Sequence, residues 1–174
     1  ARILVASLVL STAYLGWTWV GKTIVERHAR HSLDAAGIDY TAVFSTPAPL
    51  NSLLWRVVAL TPEGYAEGFD SLVIDEGDIA FTSHPSDNAA LAEAGDIWAV
   101  QRLRWFADDF VSADVVDGRL VITDLRMGQE PQYVFRHTVA KMGNPHWEPI
   151  PPERMTVLFD RGDLGKVFER ILNP

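Results

Sequence analysis

Eighteen consecutive uncharged residues, Ile3 to Val20 (ILVASLVLSTAYLGWTWV), constrain this chain more than any other feature. Arg2 and Lys22 bracket the run. A bilayer core needs ~20 apolar residues at ~1.5 Å rise each, with ~17 as the lower limit, so the run is just long enough to cross one. Tyr14, Trp17 and Trp19 gather towards its C-terminal end, where an aromatic belt would meet the membrane–water interface. A signal peptide fits less well: the apolar run is long, the charged lead-in is one arginine, and no Ala-x-Ala site follows. A buried core helix is the remaining rival. The sequence thus predicts membrane contact through residues 3–20.

Beyond Lys22 the helical pattern continues to Gly37, a residue type that commonly ends helices. Glu26 and Arg30 stand four apart, a stabilising pair on an exposed face. We therefore expect residues 1–37 to form a transmembrane helix with a helical extension, and residues 38–174 a soluble domain. Lys22, Arg27 and Arg30 follow the apolar run directly, and by the positive-inside rule that side leans cytoplasmic.

The 174 residues suffice for one ordinary domain with its own core. Cysteine is absent, which excludes disulfides, thiolate catalysis and cysteine-based zinc sites. Fifteen Lys+Arg against 23 Asp+Glu give a net charge of −8, and a nucleic-acid partner normally needs a basic face, so none is expected. The first residue is Ala1 rather than Met, and the chain is read as a piece of a longer or processed protein.

Within the soluble domain, strands are expected over 39–45, 53–61 and 65–74, the last two joined by a turn at Pro62-Glu63-Gly64. Thr46-Pro47-Ala48-Pro49 should stop the first, because proline cannot donate to a ladder. Residues 86–94 read as a short helix or loop. Asp96 is placed to cap an amphipathic helix bearing Ile97, Val100, Leu103, Phe106 and Phe110. Asp117-Gly118 between alternating apolar residues is the clearest hairpin signal, setting Val115 opposite Leu120, Ala113 opposite Ile122 and Val111 opposite Asp124. Residues 132–141 alternate as a strand, 145–152 read as proline-rich and irregular, and 163–172 as a closing helix. The fold class is α+β: the N-terminal transmembrane helix, then a mostly antiparallel sheet of about five or six strands packed by one or two helices.

No complete catalytic motif is legible. His28 and His31 share a helix face, but structural zinc takes ~4 ligands and catalytic zinc ~3, so interfacial histidines are the simpler reading. Asp75, Glu76 and Asp78 lack the order of a calcium loop, and Asp108-Asp109 reads as solvated. Trp98 and Trp105 could stack a ligand, though aromatics packed on a sheet are commoner. Arg56, amid an apolar strand, is a candidate buried guanidinium, with Asp124 as its expected carboxylate and Arg126 beside it on the same face.

Two stretches carry a family resemblance: Thr46 to Val58 (TPAPLNSLLWRVV) with Glu63 to Leu72 (EGYAEGFDSL), and Ile122 to Gly128 (ITDLRMG) with Pro131 to Arg136 (PQYVFR). Both resemble the C-terminal region of the bacterial membrane-bound metal-dependent hydrolase family of the YdjM type, described as LexA-binding and inner-membrane-associated. The resemblance covers roughly residues 1–142, and its matching positions are Pro47, Asn51, Trp55, Arg56, Tyr65, Asp124, Arg126, Gly128 and Arg136. The family's metal site, rich in His and Asp with an Arg-Gly-x-Thr-His-Ser element, lies among its N-terminal membrane helices, and Arg30-His31-Ser32 does not match it. The resemblance thus implies a parent hydrolase with a divalent metal N-terminal to this chain, in the bacterial inner membrane. It implies no catalytic, metal or cofactor residue within this chain, whose role would be accessory or regulatory. The alternative is a non-catalytic, membrane-anchored module for a protein or ligand partner. Arg56, Asp124, Arg126, Asn51, Trp55, Tyr65 and Arg136 are the candidate functional or polar cluster.

Overall fold

The chain begins with one unbroken helix, α1 (Arg2–Ala35), in a computed structural model that describes residues 2–49, 51–73 and 77–155. Its two halves meet different surroundings. The apolar stretch is long enough to cross a membrane, and none of it is buried. That stretch adds nothing to the core formed by the described residues. From Gly21 onward the burial becomes a stripe, with Gly21, Val25, Ala29, Ser32 and Leu33 recurring at three- and four-residue intervals. α1 ends as its glycine predicts: Gly37 takes φ +65°, its N–H donates to the Asp34 carbonyl, and the Ile38 N–H donates to Leu33. This Schellman closure brings Ile38 against Leu33.

The stripe packs on a four-stranded antiparallel sheet in the order β1 (Ala42–Pro47), β2 (Leu54–Thr61), β3 (Gly64–Ser71), β4 (Thr82–Pro85). The β2–β3 hairpin turns on Pro62-Glu63, with Thr61 opposite Gly64. A second four-stranded antiparallel sheet runs in the order β10 (Glu148–Arg154), β9 (Arg136–Lys141), β6 (Arg119–Asp124), β5 (Val111–Val116). The β5–β6 register is the expected one, Val115 opposite Leu120 and Ala113 opposite Ile122. Asp117 and Gly118 both take positive φ, as a two-residue hairpin turn requires. A small hairpin, β7 (Gly128–Gln129) and β8 (Gln132–Tyr133), joins β6 to β9. Gly128 has φ +126°, and a side chain there would run into the Gln132 carbonyl and Tyr133.

Alternation along the strands assembles four layers. On β2, Trp55 and Val57 meet Val25 and Ala29 of α1, and Ala59 meets Leu33. Val58 faces the other way and meets Phe110, Leu125, Tyr65 and Tyr133 between the sheets. On the outer face of the second sheet, Leu120, Ile122, Val111 and Val139 pack beneath α2 (Asn88–Glu93) and α3 (Trp98–Phe106). The order is α1, first sheet, second sheet, then α2 and α3. The α+β class with antiparallel pairing therefore holds, and the described residues form ten strands rather than one sheet of five or six. The docked half of α1 is a layer of the core, so the packed unit begins within the helix and not after residue 37.

Several local expectations shift. β1 starts at Ala42 and continues through Thr46 to Pro47, because an edge strand tolerates proline. β4 was not expected. The proline-rich tail forms β10, another edge strand, with a register shift between Pro149 and Glu153. The alternating run over 132–141 is interrupted between β8 and β9. Asp96 caps nothing: Ile97 holds the N-cap position of α3 without a side-chain bond, whereas Asp87 caps α2 by accepting from the Ala90 N–H at 2.9 Å. α3 stops at Phe106, because Asp108 and Asp109 adopt positive φ, and Phe110 packs between the sheets. Trp98 and Trp105 are 72% and 68% exposed, so they do not pack on the sheet. The expected helix over 163–172, and Asp75 and Glu76, lie outside the described residues.

Candidate functional site

Arg56 is the deepest charge between the sheets, and it has a carboxylate partner as its setting demands. That partner is Glu67, not Asp124. Arg56 Nε donates to Glu67 Oε1 at 2.5 Å, Nη1 to the Leu125 carbonyl at 2.6 Å, and Nη2 to the Tyr133 hydroxyl at 2.9 Å. The reason is register. Arg56 stands opposite Phe69 and Val58 opposite Glu67, so Glu67 is its diagonal neighbour on the same face of the hairpin. Asp124 lies on the outer face of β6, away from Arg56. It pairs instead with Arg126 (Nε–Oδ1 3.4 Å), the same-face pair that the spacing predicts. Arg126 also donates from Nη2 to the Phe106 carbonyl at 2.5 Å, a cation at the C-terminus of α3.

From Arg56 a polar chain continues through the interface. The Tyr133 hydroxyl lies 3.4 Å from that of Tyr65, and the Tyr65 hydroxyl donates to Glu130 in a short bond. Glu67, Arg56, Tyr133, Tyr65 and Glu130 thus form one connected series across β3, β2 and the β7–β8 hairpin. It opens into a cavity of about 240 Å³, where Asp114 of β5, Arg136 of β9 and His84 of β4 join Tyr65 and Glu130. The His84 ring stacks on Tyr65 at 5.1 Å between centroids. Arg136 Nη2 stands 3.7 Å from Asp114 Oδ2, and Arg136 Nε is buried without a hydrogen-bond partner. A wider hollow of about 470 Å³ lies alongside, lined largely by turn residues at Gly37–Asp39, Thr61–Glu63 and Ser83–Pro85.

Burial sets the protonation of this cleft. It drives the Tyr133 hydroxyl up to about 12 against the opposing charge of Arg56. Tyr65 is raised further, by burial first and then by its bonds to Glu130 and Tyr133. Both phenols are therefore neutral donors at ordinary pH, not nucleophiles. Asp114 is pushed above the usual carboxylate range by burial, which outweighs the pull of Arg136 and is reinforced by Glu130 and Asp87. What results is a cleft lined by neutral phenol donors and carboxylate acceptors.

The candidate residues thus divide. The structure brings Arg56, Tyr65 and Arg136 to the inter-sheet site and sends Asp124 and Arg126 to the opposite face of the second sheet. Asn51 orders the β1–β2 loop, its Oδ1 accepting from the Leu53 and Leu54 N–H groups at 3.0 and 2.8 Å. Trp55 is buried against α1 beside Gly21 and donates to the Ser52 carbonyl at 3.1 Å. Neither cavity is lined by Trp55, Trp98 or Trp105. Sequence reasoning missed Glu67, Asp114, Glu130 and His84. Hairpin register could have found Glu67, while the others meet only through packing of one sheet on the other.

Among the described residues no group of three or more His, Asp or Glu side chains converges on a point. His28 Nδ1 lies 3.2 Å from Asp70 Oδ1, and the exposed His31 Nε2 lies 4.0 Å from Asp78. No protein-family model, curated protein or solved structure matches the chain.

Proposed function

We propose that this chain is a membrane-anchored accessory domain of a bacterial membrane-bound metal-dependent hydrolase, acting by binding rather than by holding the reaction centre. Residues 3–20 cross the inner membrane and the sheets stand on its cytoplasmic side. The divalent metal of such a hydrolase belongs to polypeptide outside this chain. One observation carries the reading: α1 is apolar and exposed up to Val20, then docked from Gly21, without a break. A continuous helix rising ~1.5 Å per residue holds the sheets at a fixed height and orientation to the bilayer. Such a mounting suits a domain that presents a binding surface to a neighbouring membrane protein or to solutes at the surface.

The chain has no cysteine, so Glu93→Cys on the exposed side of α2 offers a unique label. A membrane-impermeant maleimide should modify it in inverted bacterial membrane vesicles and not in right-side-out ones, and alkaline carbonate should leave the chain in the membrane. Labelling in right-side-out vesicles, or release by carbonate, would overturn the topology or the anchor respectively. The purified chain given Mg²⁺, Mn²⁺ or Zn²⁺ should hydrolyse p-nitrophenyl acetate and phosphate no faster than metal alone. Turnover that disappears in Asp114→Asn would make the chain an enzyme in its own right.

A further inference from the structure

We infer that the cleft between the sheets binds a small, neutral, polyhydroxylated molecule, a polyol or monosaccharide, drawn from the aqueous phase. The inference rests on reading the chain as a binding domain and names what that domain takes. Size bounds the ligand first. A cavity of about 240 Å³ falls below the ~300 Å³ at which sites for drug-sized molecules begin, and holds roughly eight waters at ~30 Å³ each.

Charge narrows the class. Asp114, Glu130 and Arg136 line one small space. An anion entering it would meet two carboxylates, and an organic cation would meet the guanidinium. A neutral ligand avoids both repulsions.

Hydrogen bonding narrows it again. Glu130 is held by Tyr65, and Tyr133 by Arg56, so these groups keep their places whether or not a ligand is present. Arg136 and Asp114 are different. Their closest approach, Arg136 Nη2 to Asp114 Oδ2, is 3.7 Å, beyond hydrogen-bonding reach. A donor, Arg136 Nη2, therefore faces an acceptor, Asp114 Oδ2, across a gap that they do not close by themselves. A hydroxyl group both accepts and donates, so adjacent hydroxyls can accept a hydrogen bond from the guanidinium and donate one to the carboxylate. A ligand with donors only, or acceptors only, would satisfy half of this pair.

Position favours a soluble ligand over a lipid. Trp55 and Leu72 pack at Gly21, beside the end of the apolar stretch, whereas Tyr65 stands opposite Leu60. Five residues of β2 separate those levels, ~17 Å at ~3.3 Å per strand residue. The cleft lies on the far part of the first sheet from the bilayer end of α1.

The test uses the full chain in lipid nanodiscs, followed by its melting temperature. Glycerol, myo-inositol, glucose and N-acetylglucosamine are the probes, with choline and acetate as charged controls. At least one hydroxylated probe should raise the melting temperature along a saturating curve in the range of ~1–10 mM, distinct from the non-saturating rise of an excluded osmolyte. Asp114→Asn and Arg136→Lys should each weaken that response about tenfold. Asp114→Asn keeps shape and Arg136→Lys keeps charge, so failure of one variant to fold leaves the other to decide. Saturation by choline or acetate alone overturns the neutral class while leaving the binding-domain reading intact. No saturable response up to ~50 mM, or one indifferent to both variants, overturns the proposal. The labelling and carbonate assays read the anchor independently of any ligand.

Discussion

Arg56 shows how far a single residue can be read. A lone arginine in an apolar strand implies a buried guanidinium with a carboxylate, and both exist. Choosing Asp124 over Glu67 erred because a pairing between hairpins was preferred to the diagonal neighbour within one hairpin. Leaving a buried carboxylate unpaired is costly, so Arg56→Ala should lower unfolding stability by ~3–5 kcal/mol. Replacing both partners with apolar residues of similar volume, Arg56→Met with Glu67→Leu, should recover most of that loss. Urea denaturation of the parent, Arg56→Met, Glu67→Leu and the double variant in one detergent forms the cycle, and equal losses for single and double variants would sink the pairing. Glu26 supports a pH prediction. Burial alone would raise its pKa, but the hydrogen bond and charge of Lys22, the Ser45 hydroxyl and Arg30 outweigh it, and the net shift is downward from 4.5. A depressed folded pKa gives stability that is present above the unfolded value and is lost as pH falls through the folded one. Glu26→Gln should therefore weaken the protein at pH ~7, with the gap to the parent closing below pH ~4.5. A gap of constant size down to pH ~3 would show that the pair contributes nothing titratable.

At the scale of elements, legibility follows how local the cause is. α1, its Gly37 terminus and the Asp117-Gly118 hairpin were readable because neighbouring residues dictate each one. β4 and β10 were not. β4 is four residues of Thr, Ser, His and Pro with little apolar alternation, and it exists because β3 offers an edge. β10 carries prolines that argue against a central strand, yet an edge strand with an irregular register accepts them. The cleft was illegible for the same reason: its residues come from β3, β4, β5, β6, β9 and the β7–β8 hairpin, and no short sequence contains the constellation. Gly37 allows a clean test. A Cβ there would meet nothing within 4 Å, so any cost of substitution is conformational. Holding an L-residue in the left-handed region costs ~1–2 kcal/mol, so Gly37→Ala should destabilise by that amount, and Gly37→Asn by less. Thermal unfolding of the three proteins decides it, and an alanine variant as stable as the parent would mean that the helix end relaxes.

For the whole molecule, α1 belongs to two environments at once. Its first half contributes no buried residue to the sheets, while its second half covers Val57, Ala59 and Ala66 with Val25, Ala29 and Leu33. Fully burying a valine or leucine stabilises by ~1.5–3 kcal/mol, so Val25 and Leu33 together contribute ~3–6 kcal/mol, a large part of the ~5–15 kcal/mol typical of a domain. The point at which the chain can be shortened is therefore set by packing and falls inside the helix. A chain starting at Gly21 should remain folded and monomeric without detergent, since it sheds only exposed apolar surface. A chain starting at Gly37 keeps every strand but uncovers one face of the first sheet, and should aggregate or lose its cooperative melt. Size-exclusion chromatography and thermal circular dichroism of the two proteins provide the comparison. Aggregation of the longer one would mean that residues 3–20 are needed for folding rather than for anchoring. Equal stability of both would mean that the contact between α1 and the sheet contributes nothing, and the fixed mounting of the domain on its helix would fall with it.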